Sequence, residues 1–386
     1  MKVLWVNPSF LDYRVPVYSN INQILGGEFY LLYSKNRVPQ RVIEKIEKEL
    51  GKNALGLSGE KSFLIGKKSE FANKYISLPY QKGLYETIKT VKPDLIIGEG
   101  FFQWTPWAVW YSRKHKIPIY ISYERTEHTE RNCPKWRAMY RKFIAKYARG
   151  FLINGSLTLS YLKKNNISDN KNIILGCMCA DSEELSLKVK SITEQEKQEL
   201  TQSIIGENHT ETGFIYLFIG RFIELKGIKQ LLDAWEKHIE SHNNDYLVLV
   251  GEGPCLDAYK NDFSGVKGIR FVGGVDYNAI YRYYSIADVF ILPTLEDNWS
   301  LVIPEAMACG LPVATSKYNG CYPELVTDKN GFVFDSLNES SIIEALEYFH
   351  RDSINLKEMG KMSIQIENEY SPKKVAERII KGLEGV

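Results

Sequence analysis

Short apolar runs alternate with amphipathic stretches along nearly the whole chain, and this alternation limits the fold more than any other feature. The runs Val3–Val6, Phe29–Tyr33, Asp94–Ile97, Ile117–Tyr123 and Phe151–Asn154 mark strands in the first half. Phe214–Ile219, Tyr246–Val250, Ile269–Val272, Val289–Leu292, Pro312–Thr315 and Phe332–Phe334 mark them in the second. Between them, positions such as Ile228, Leu231, Leu232 and Trp235 repeat with helical spacing. Strands separated by helices are the signature of parallel βα units. The predicted class is α/β, with doubly wound Rossmann-like sheets.

At 386 residues the chain is too long for one compact core and suits two domains. The stretch from 180 to 212 is polar, rich in Glu, Lys, Ser and Thr, and has little strand character. The connection is placed at its start. The predicted division is residues 1–182, 183–370, and a terminal helical segment 371–386 that crosses back to the first domain. The net charge of +2 gives no case for nucleic-acid binding. No run is long enough to span a membrane, and the N-terminal apolar run is too short for a signal peptide. Six cysteines in a chain of this length read as free thiols of a reducing compartment, so a cytoplasmic location is expected. Cys177 and Cys179 lie close together without a second pair, so no metal site is assigned.

Two segments of the second half carry chemistry. The first is Gly220-Arg221-Phe222-Ile223-Glu224-Leu225-Lys226-Gly227, between a strand and a helix. Arg221 offers a planar fork and Lys226 a point charge, and both suit phosphate oxygens. The second is the run from Glu296 to Val313. Pro304 fits only within a first helical turn, so a helix starts near Leu301. The N–H groups from Trp299 to Val302 then lack intrahelical partners and suit an anion. Asp297 and Glu305 flank that junction and can accept sugar hydroxyls. Phosphate donors beside carboxylates describe a sugar-nucleotide site.

These motifs together resemble the donor domain of family 4 of the retaining GT-B glycosyltransferases. In that family a Gly-Arg-(four residues)-Lys-Gly loop holds the donor diphosphate, matched by Gly220, Arg221 and Lys226. A Glu-(seven residues)-Glu motif follows, matched by Asp297 and Glu305. The resemblance extends through Leu249-Val250-Gly251-Glu252-Gly253-Pro254 and Phe271-Val272-Gly273-Gly274-Val275, and covers about 213 to 334. It implies a fold of two Rossmann-like domains facing a cleft. It also implies transfer of a sugar from a nucleotide sugar with retention of configuration; since no paired-Asp metal motif stands in a suitable loop, Arg221, Lys226 and helix-terminal N–H groups are expected to replace a metal, with no other cofactor. By it Arg221, Lys226 and Asp297 serve catalysis, while Glu305 holds the ribose. Gly274 and Val275 line the base pocket, and Trp299, Ser300 and Leu301 meet phosphate and sugar. UDP is the expected nucleotide, with GDP as the alternative.

Three departures qualify the match. Asp297 replaces a Glu and is one methylene shorter, with Glu296 beside it as a substitute. Cys321 replaces the second glycine of a Gly-Gly pair, which suggests an altered contact to sugar or phosphate. The first half lacks the family's Gly-Gly loop, and Asn7 to Arg14 stands in its place. On the acceptor side the candidates are Tyr13, Arg14, Glu124 (where the family often has His) and His128.

The expected acceptor is a saccharide or a lipid-linked saccharide of a bacterial surface polymer. A sugar-nucleotide epimerase or hydrolase, such as a UDP-N-acetylglucosamine 2-epimerase, is the alternative. In the acid-free segment 134–147, Trp136, Met139, Tyr140, Phe143, Ile144 and Tyr147 share a helical face. Two arrangements fit. The face can lie on an anionic bilayer in a peripheral contact, or it can pack on the first sheet with the basic side in water. The packing arrangement is the plainer of the two.

Overall fold

The computed structural model describes residues 1–66, 71, 75–206 and 213–384. The last six residues of the polar stretch 180–212 therefore lie outside the described residues, as do 385 and 386 at the end of the terminal segment. The chain divides into two compact units, Met1–Asp181 with Tyr370–Val386, and Ser182–Glu369.

The first unit holds strands β1 (Val3–Val6), β2 (Phe29–Ser34), β3 (Ala54–Leu57), β6 (Leu95–Glu99), β7 (Ile119–Tyr123), β8 (Gly150–Ile153) and β9 (Asn172–Leu175) in one sheet. Their order is β3-β2-β1-β6-β7-β8-β9, and every pairing is parallel. Strands β4 (Lys61–Gly66) and β5 (Tyr75–Tyr80) form a separate antiparallel pair. The sequence reading missed that pair along with β3 and β9, whose apolar runs are short and broken by glycine or polar residues.

Burial on both faces explains the unbroken apolar runs. Val3 and Trp5 belong to one core cluster and Leu4 and Val6 to the other, as period-two alternation requires. The helix Pro372–Glu384 closes the first cluster with Val375, Ala376, Ile379, Ile380 and Leu383. Gly382 lets it approach, since a Cβ there would stand 2.6 Å from Ile174. Asn172 Nδ2 donates to Gly382 O at 2.8 Å, and Arg378 Nη1 donates to Gly176 O at 2.7 Å.

The helix Lys135–Ala145 corrects the packing arrangement favoured above. Arg137, Arg141, Ile144 and Ala145 face inward, while Trp136, Met139 and Phe143 face out. A buried ion pair sets this rotation. Arg141 Nη1 and Nη2 reach Glu130 Oε2 and Oε1 at 2.6 and 2.9 Å, and Nη1 also donates to Tyr161 Oη at 3.0 Å. Glu130 also lies 3.2 Å from Arg125 Nη1, but losing the two-point contact with Arg141 would cost up to about 3–5 kcal/mol, more than burying one further aromatic returns.

The second unit holds β10 (Ile215–Ile219), β11 (Tyr246–Val250), β12 (Ile269–Gly273), β13 (Val289–Leu292), β14 (Val313–Ser316) and β15 (Gly331–Phe334). The sheet is parallel, in the order β12-β11-β10-β13-β14-β15. The polar stretch 180–212 contributes two helices, Glu183–Ser191 and Glu194–Ile205, and the second begins with a capping box between Thr193 and Glu196.

A histidine cluster fastens the amino-terminal edge of this sheet. His238 and His350 each present Nε2 to Asp245 Oδ2, at 2.8 and 2.7 Å, and the Phe214 N–H donates to Asp245 Oδ1 at 2.8 Å. Burial alone would raise the Asp245 pKa, but these bonds outweigh it and hold the group below the ordinary 3.8. His242 stacks on His350 with ring centres 3.9 Å apart. Burial, then the charges of His350 and His238, hold His242 below its ordinary 6.5. Both groups bind protons more readily in the unfolded chain, so stability falls as pH drops, first below 6.5 and again below 3.8. Thermal denaturation should give a lower midpoint at about pH 5 than at about pH 7.5, and His242→Gln should remove much of that difference. A midpoint that does not change over this range would contradict the assignment.

Candidate functional site

In the second unit the strand order reverses between neighbours β10 and β13. Connections leaving those two strands diverge, and the crevice outside their carboxyl ends is where open parallel sheets take ligands. The Gly220–Gly227 loop leaves β10 and the Thr294–Leu301 loop leaves β13. They are laced together: Leu295 N–H donates to Leu225 O at 2.8 Å and Thr294 Oγ1 to the same oxygen at 3.1 Å. Gly227 has φ +66°, and a Cβ there would lie 2.0 Å from Pro293 O. Only glycine allows that approach.

Lys226 bridges the reversal. Its Nζ lies 2.7 Å from Asp297 Oδ2, and both side chains are about one-fifth exposed. Ser300 Oγ donates to the same oxygen at 2.5 Å, and the Trp299 N–H donates to Asp297 Oδ1 at 3.1 Å. Burial pushes the Asp297 pKa up, but the Lys226 charge and these hydrogen bonds hold it below the usual carboxylate range. Arg221 is exposed on the same loop as Lys226. Glu296 is buried beside Asp297, and its backbone oxygen accepts from Thr294 Oγ1 at 3.3 Å.

The helix that follows spans Val302–Ala308 with Leu301 as its N-cap, and Pro304 lies in its first turn. The N–H groups before it differ from expectation. The Trp299 N–H is taken by Asp297, and the Ser300 N–H donates to Asn319 Oδ1 at 3.3 Å. Two of the donors assigned to an anion thus already serve side chains. Asn319 is fully buried, accepts from Cys321 Sγ at 3.2 Å and donates to Thr315 Oγ1 at 3.2 Å. Cys321 is the position at which an altered contact to sugar or phosphate is expected. Its side chain is buried against Asn319, and burial pushes its thiol pKa up.

Glu305 is buried in that helix, with Tyr277 Oη donating to Oε1 at 3.1 Å and Tyr284 Oη to Oε2 at 3.2 Å. Tyr277 is 54 % exposed whereas Tyr284 is buried, so a hydroxyl ligand can displace the first and keep the second. Gly274 and Val275 follow β12, with Gly274 against the Glu252 side chain. Gly251 and Gly253 bring β11's loop onto that of β10, where a Cβ would meet Gly220 O at 1.9 Å and Phe222 O at 2.4 Å. At the carboxyl ends of β10, β11 and β12 glycines thus let backbone meet backbone closely. A hollow of about 680 Å³ lies at the opposite ends of β10 and β13. It is walled mainly by exposed polar side chains of the Glu194–Ile205 helix and has no such convergence.

The first unit reverses between β1 and β6. Tyr13 and Arg14 follow β1, Glu99 ends β6 and Glu124 follows β7. Arg14 is buried and donates to Cys177 O at 3.1 Å. Its charge opposes the burial that raises the Glu99 pKa, while Glu124 pushes that pKa further up. Glu99 also accepts from Trp5 Nε1 and Ser122 Oγ, both at 3.0 Å. Burial raises the Tyr13 pKa, modulated by Arg14, Glu124 and Glu99. The structure thus gathers Tyr13, Arg14 and Glu124, whereas His128 sits on a turn whose backbone oxygen accepts from Arg131.

Sequence reasoning missed Glu99, Asn319, Tyr277 and Tyr284. An acid closing the apolar run Leu95-Ile96-Ile97-Gly98 was the available signal for Glu99. The other three become partners of the site only through the fold. Gly227→Ala is expected to destabilise the chain by at least about 2 kcal/mol, from the positive φ and the contact with Pro293. Urea denaturation measures this, and an unchanged midpoint would mean the two loops are not so close.

Residues 199–366 match the family described as glycosyl transferases group 1. An uncharacterized glycosyltransferase of Methanocaldococcus jannaschii is 35% identical over 130 residues, 33% of this chain and 33% of that one. The alpha-monoglucosyldiacylglycerol synthase of Acholeplasma laidlawii is 29% identical over 130 residues, 33% of this chain and 32% of the other. The chain spans about a third of the length of these two relatives. Among solved structures, Anabaena HepE in complex with UDP and glucose superposes with a TM-score of 0.72 at 12% identity, over 100% of both chains. Residues 199–366 of the second unit thus resemble the glycosyl transferases group 1 family, and the chain has the GT-B fold.

Proposed function

We propose that this protein is an enzyme that transfers a sugar from a nucleotide sugar, with UDP as the nucleotide, to a saccharide or lipid-linked saccharide acceptor, retaining anomeric configuration. The observation that carries this reading is the Lys226–Asp297 pair at the strand-order reversal, with Glu305 on the adjoining helix. HepE binding UDP supports the nucleotide. The Acholeplasma relative is named for a glucosylated diacylglycerol, which supports a lipid-bearing acceptor. The place of the reaction, in assembly of a bacterial surface polysaccharide at the cytoplasmic face of a membrane, rests on the family resemblance alone.

Each residue has a stated task in this reading. As the bond from the anomeric carbon to phosphate breaks, negative charge grows on the diphosphate, and Lys226 and Arg221 neutralise it. Asp297 holds Lys226 in place. Its carboxylate has about four lone-pair positions, and Lys226, Ser300 and Trp299 use three. Room for one sugar hydroxyl remains. The missing methylene matters less than in the resemblance, because Asp297 is tied to its own loop and acts chiefly by positioning the cation. Glu305 takes the ribose hydroxyls in place of Tyr277. The acceptor attacks the face the diphosphate leaves, and a phosphate oxygen takes its proton. Tyr13, Arg14, Glu99 and Glu124 bind the acceptor. No metal enters the scheme, because the cations carry the leaving-group charge.

Lys226→Ala is expected to lower turnover of the donor about 100-fold or more. Glu305→Ala should instead weaken UDP binding about 10- to 100-fold with a smaller effect on turnover, since it loses a charged hydrogen-bond acceptor. Calorimetric titration and UDP-release assays, run with and without acceptor, read both effects. Normal turnover in the Lys226 variant would remove the diphosphate clamp, and acceptor-independent processing of the donor would favour an epimerase or hydrolase. EDTA should leave the rate unchanged. Loss of activity that a divalent cation restores would show that a metal takes part.

A further inference from the structure

We infer that the outer face of the helices Thr105–His115 and Lys135–Ala145 docks on an anionic phospholipid bilayer. The inference rests on the proposed lipid-linked acceptor only for its purpose, because the surface lies in the first unit and shares no residue with the donor site. Trp107, Trp110, Trp136, Met139 and Phe143 are 37, 51, 52, 69 and 51 % exposed. They are not scattered. Trp107 and Trp110 lie one turn apart on the first helix with ring centres 5.9 Å apart, and Trp136, Met139 and Phe143 share a stripe of the second. The inward residues Ala108, Val109, Ile144 and Ala145 belong to one core cluster, so both outer stripes point away from the same face of the sheet. Phe102, just before the first helix, stacks on Tyr140 at 4.8 Å, and Arg113 of the first helix lies 4.1 Å over the ring of Tyr147, just after the second, which ties the two helices together near their ends.

Charge identifies the partner. The whole chain is nearly balanced, yet residues 100–123 and 131–168 contain twelve Lys and Arg and no Asp or Glu. Lys135, Lys142 and Lys146 border the Trp136–Met139–Phe143 stripe, and Arg113, Lys114 and Lys116 close the first helix, all exposed. Aromatic side chains flanked by long cationic stems suit the bilayer interface, where rings enter the acyl boundary and ammonium groups reach the headgroups. Each cation near an anionic surface adds attraction within a Debye length. The two helices themselves offer a protein partner cations and no acid, while exposed acids stand only on neighbouring segments, at Glu86 and Glu127. The Arg141–Glu130 pair provides the physical means, since it turns the arginines of the second helix inward and leaves its largest apolar groups outside.

The test uses the full chain and vesicles. Four of the seven tryptophans are buried (Trp5, Trp104, Trp235 and Trp299), so fluorescence changes on vesicle contact report Trp107, Trp110 and Trp136. Phosphatidylglycerol vesicles should bind the protein at least about 10-fold more tightly than phosphatidylcholine vesicles, with a blue shift and with quenching by brominated acyl chains. The triple variant Trp136→Ser, Met139→Ser, Phe143→Ser should keep the native melting temperature and lose about 10-fold or more in binding. Lys142→Glu with Lys146→Glu should weaken binding and reduce its salt dependence. Equal binding to both lipids, undiminished binding by the triple variant, or self-association through this face without vesicle binding would each overturn the inference. UDP-sugar turnover on a water-soluble acceptor is measured in parallel. Its loss would count against the proposed function, and vesicle binding would stand or fall separately.

Discussion

Strand order reverses between β10 and β13, so the two loops leaving those strands must part, and one ion pair spans the place where they do. Lys226 arrives from one side and Asp297 from the other, at 2.7 Å. The pair's neighbours on the two loops are arranged about that contact. Gly227 lets the β10 loop touch Pro293, Ser300 and Trp299 hold the carboxylate, and Asn319 supports Ser300 from the turn after β14. A cation held this way by neighbouring groups needs little rearrangement to meet an incoming anion, which is the condition for strong electrostatic stabilisation.

The first unit repeats the same design with other residues. Its reversal, between β1 and β6, gathers Arg14, Tyr13, Glu99 and Glu124. Here the acids have the less favourable position. Burial raises the Glu99 pKa even with an arginine nearby, whereas Asp297 in the second unit is kept ionised by Lys226. The difference follows from geometry: Lys226 makes a direct contact with its acid, while Arg14 spends a hydrogen bond on Cys177 O. One unit is built to present fixed positive charge. The other holds a carboxyl group whose proton is more readily kept.

Burial decides a third feature of the molecule, the outer surface of the Lys135–Ala145 helix. Helical periodicity alone puts Trp136, Met139, Tyr140, Phe143, Ile144 and Tyr147 on one face and predicts that this face is the core side. The buried Glu130 carboxylate takes precedence over that pattern, because breaking its two-point contact with Arg141 is more costly than an exposed aromatic ring. The helix turns to give Arg141 to Glu130, and the hydrophobic stripe goes outward with it.

The sequence by itself determined the strands of both sheets' interiors, because a strand buried on both faces can hardly be written except as an unbroken apolar run. It determined the glycine and cation loop at 220–227 and the helix start before Pro304, because these depend on backbone rules that act within a few residues. The tertiary structure alone decided which donors meet which acceptors. The Tyr277 and Tyr284 hydroxyls on Glu305, Asn319 behind Ser300, and Glu99 beside Arg14 join positions from roughly twenty to over eighty residues apart. Periodicity carries no information about such pairs. The rotation of the 135–145 helix belongs to the same class, since it was set by a single ion pair to a residue outside the helix.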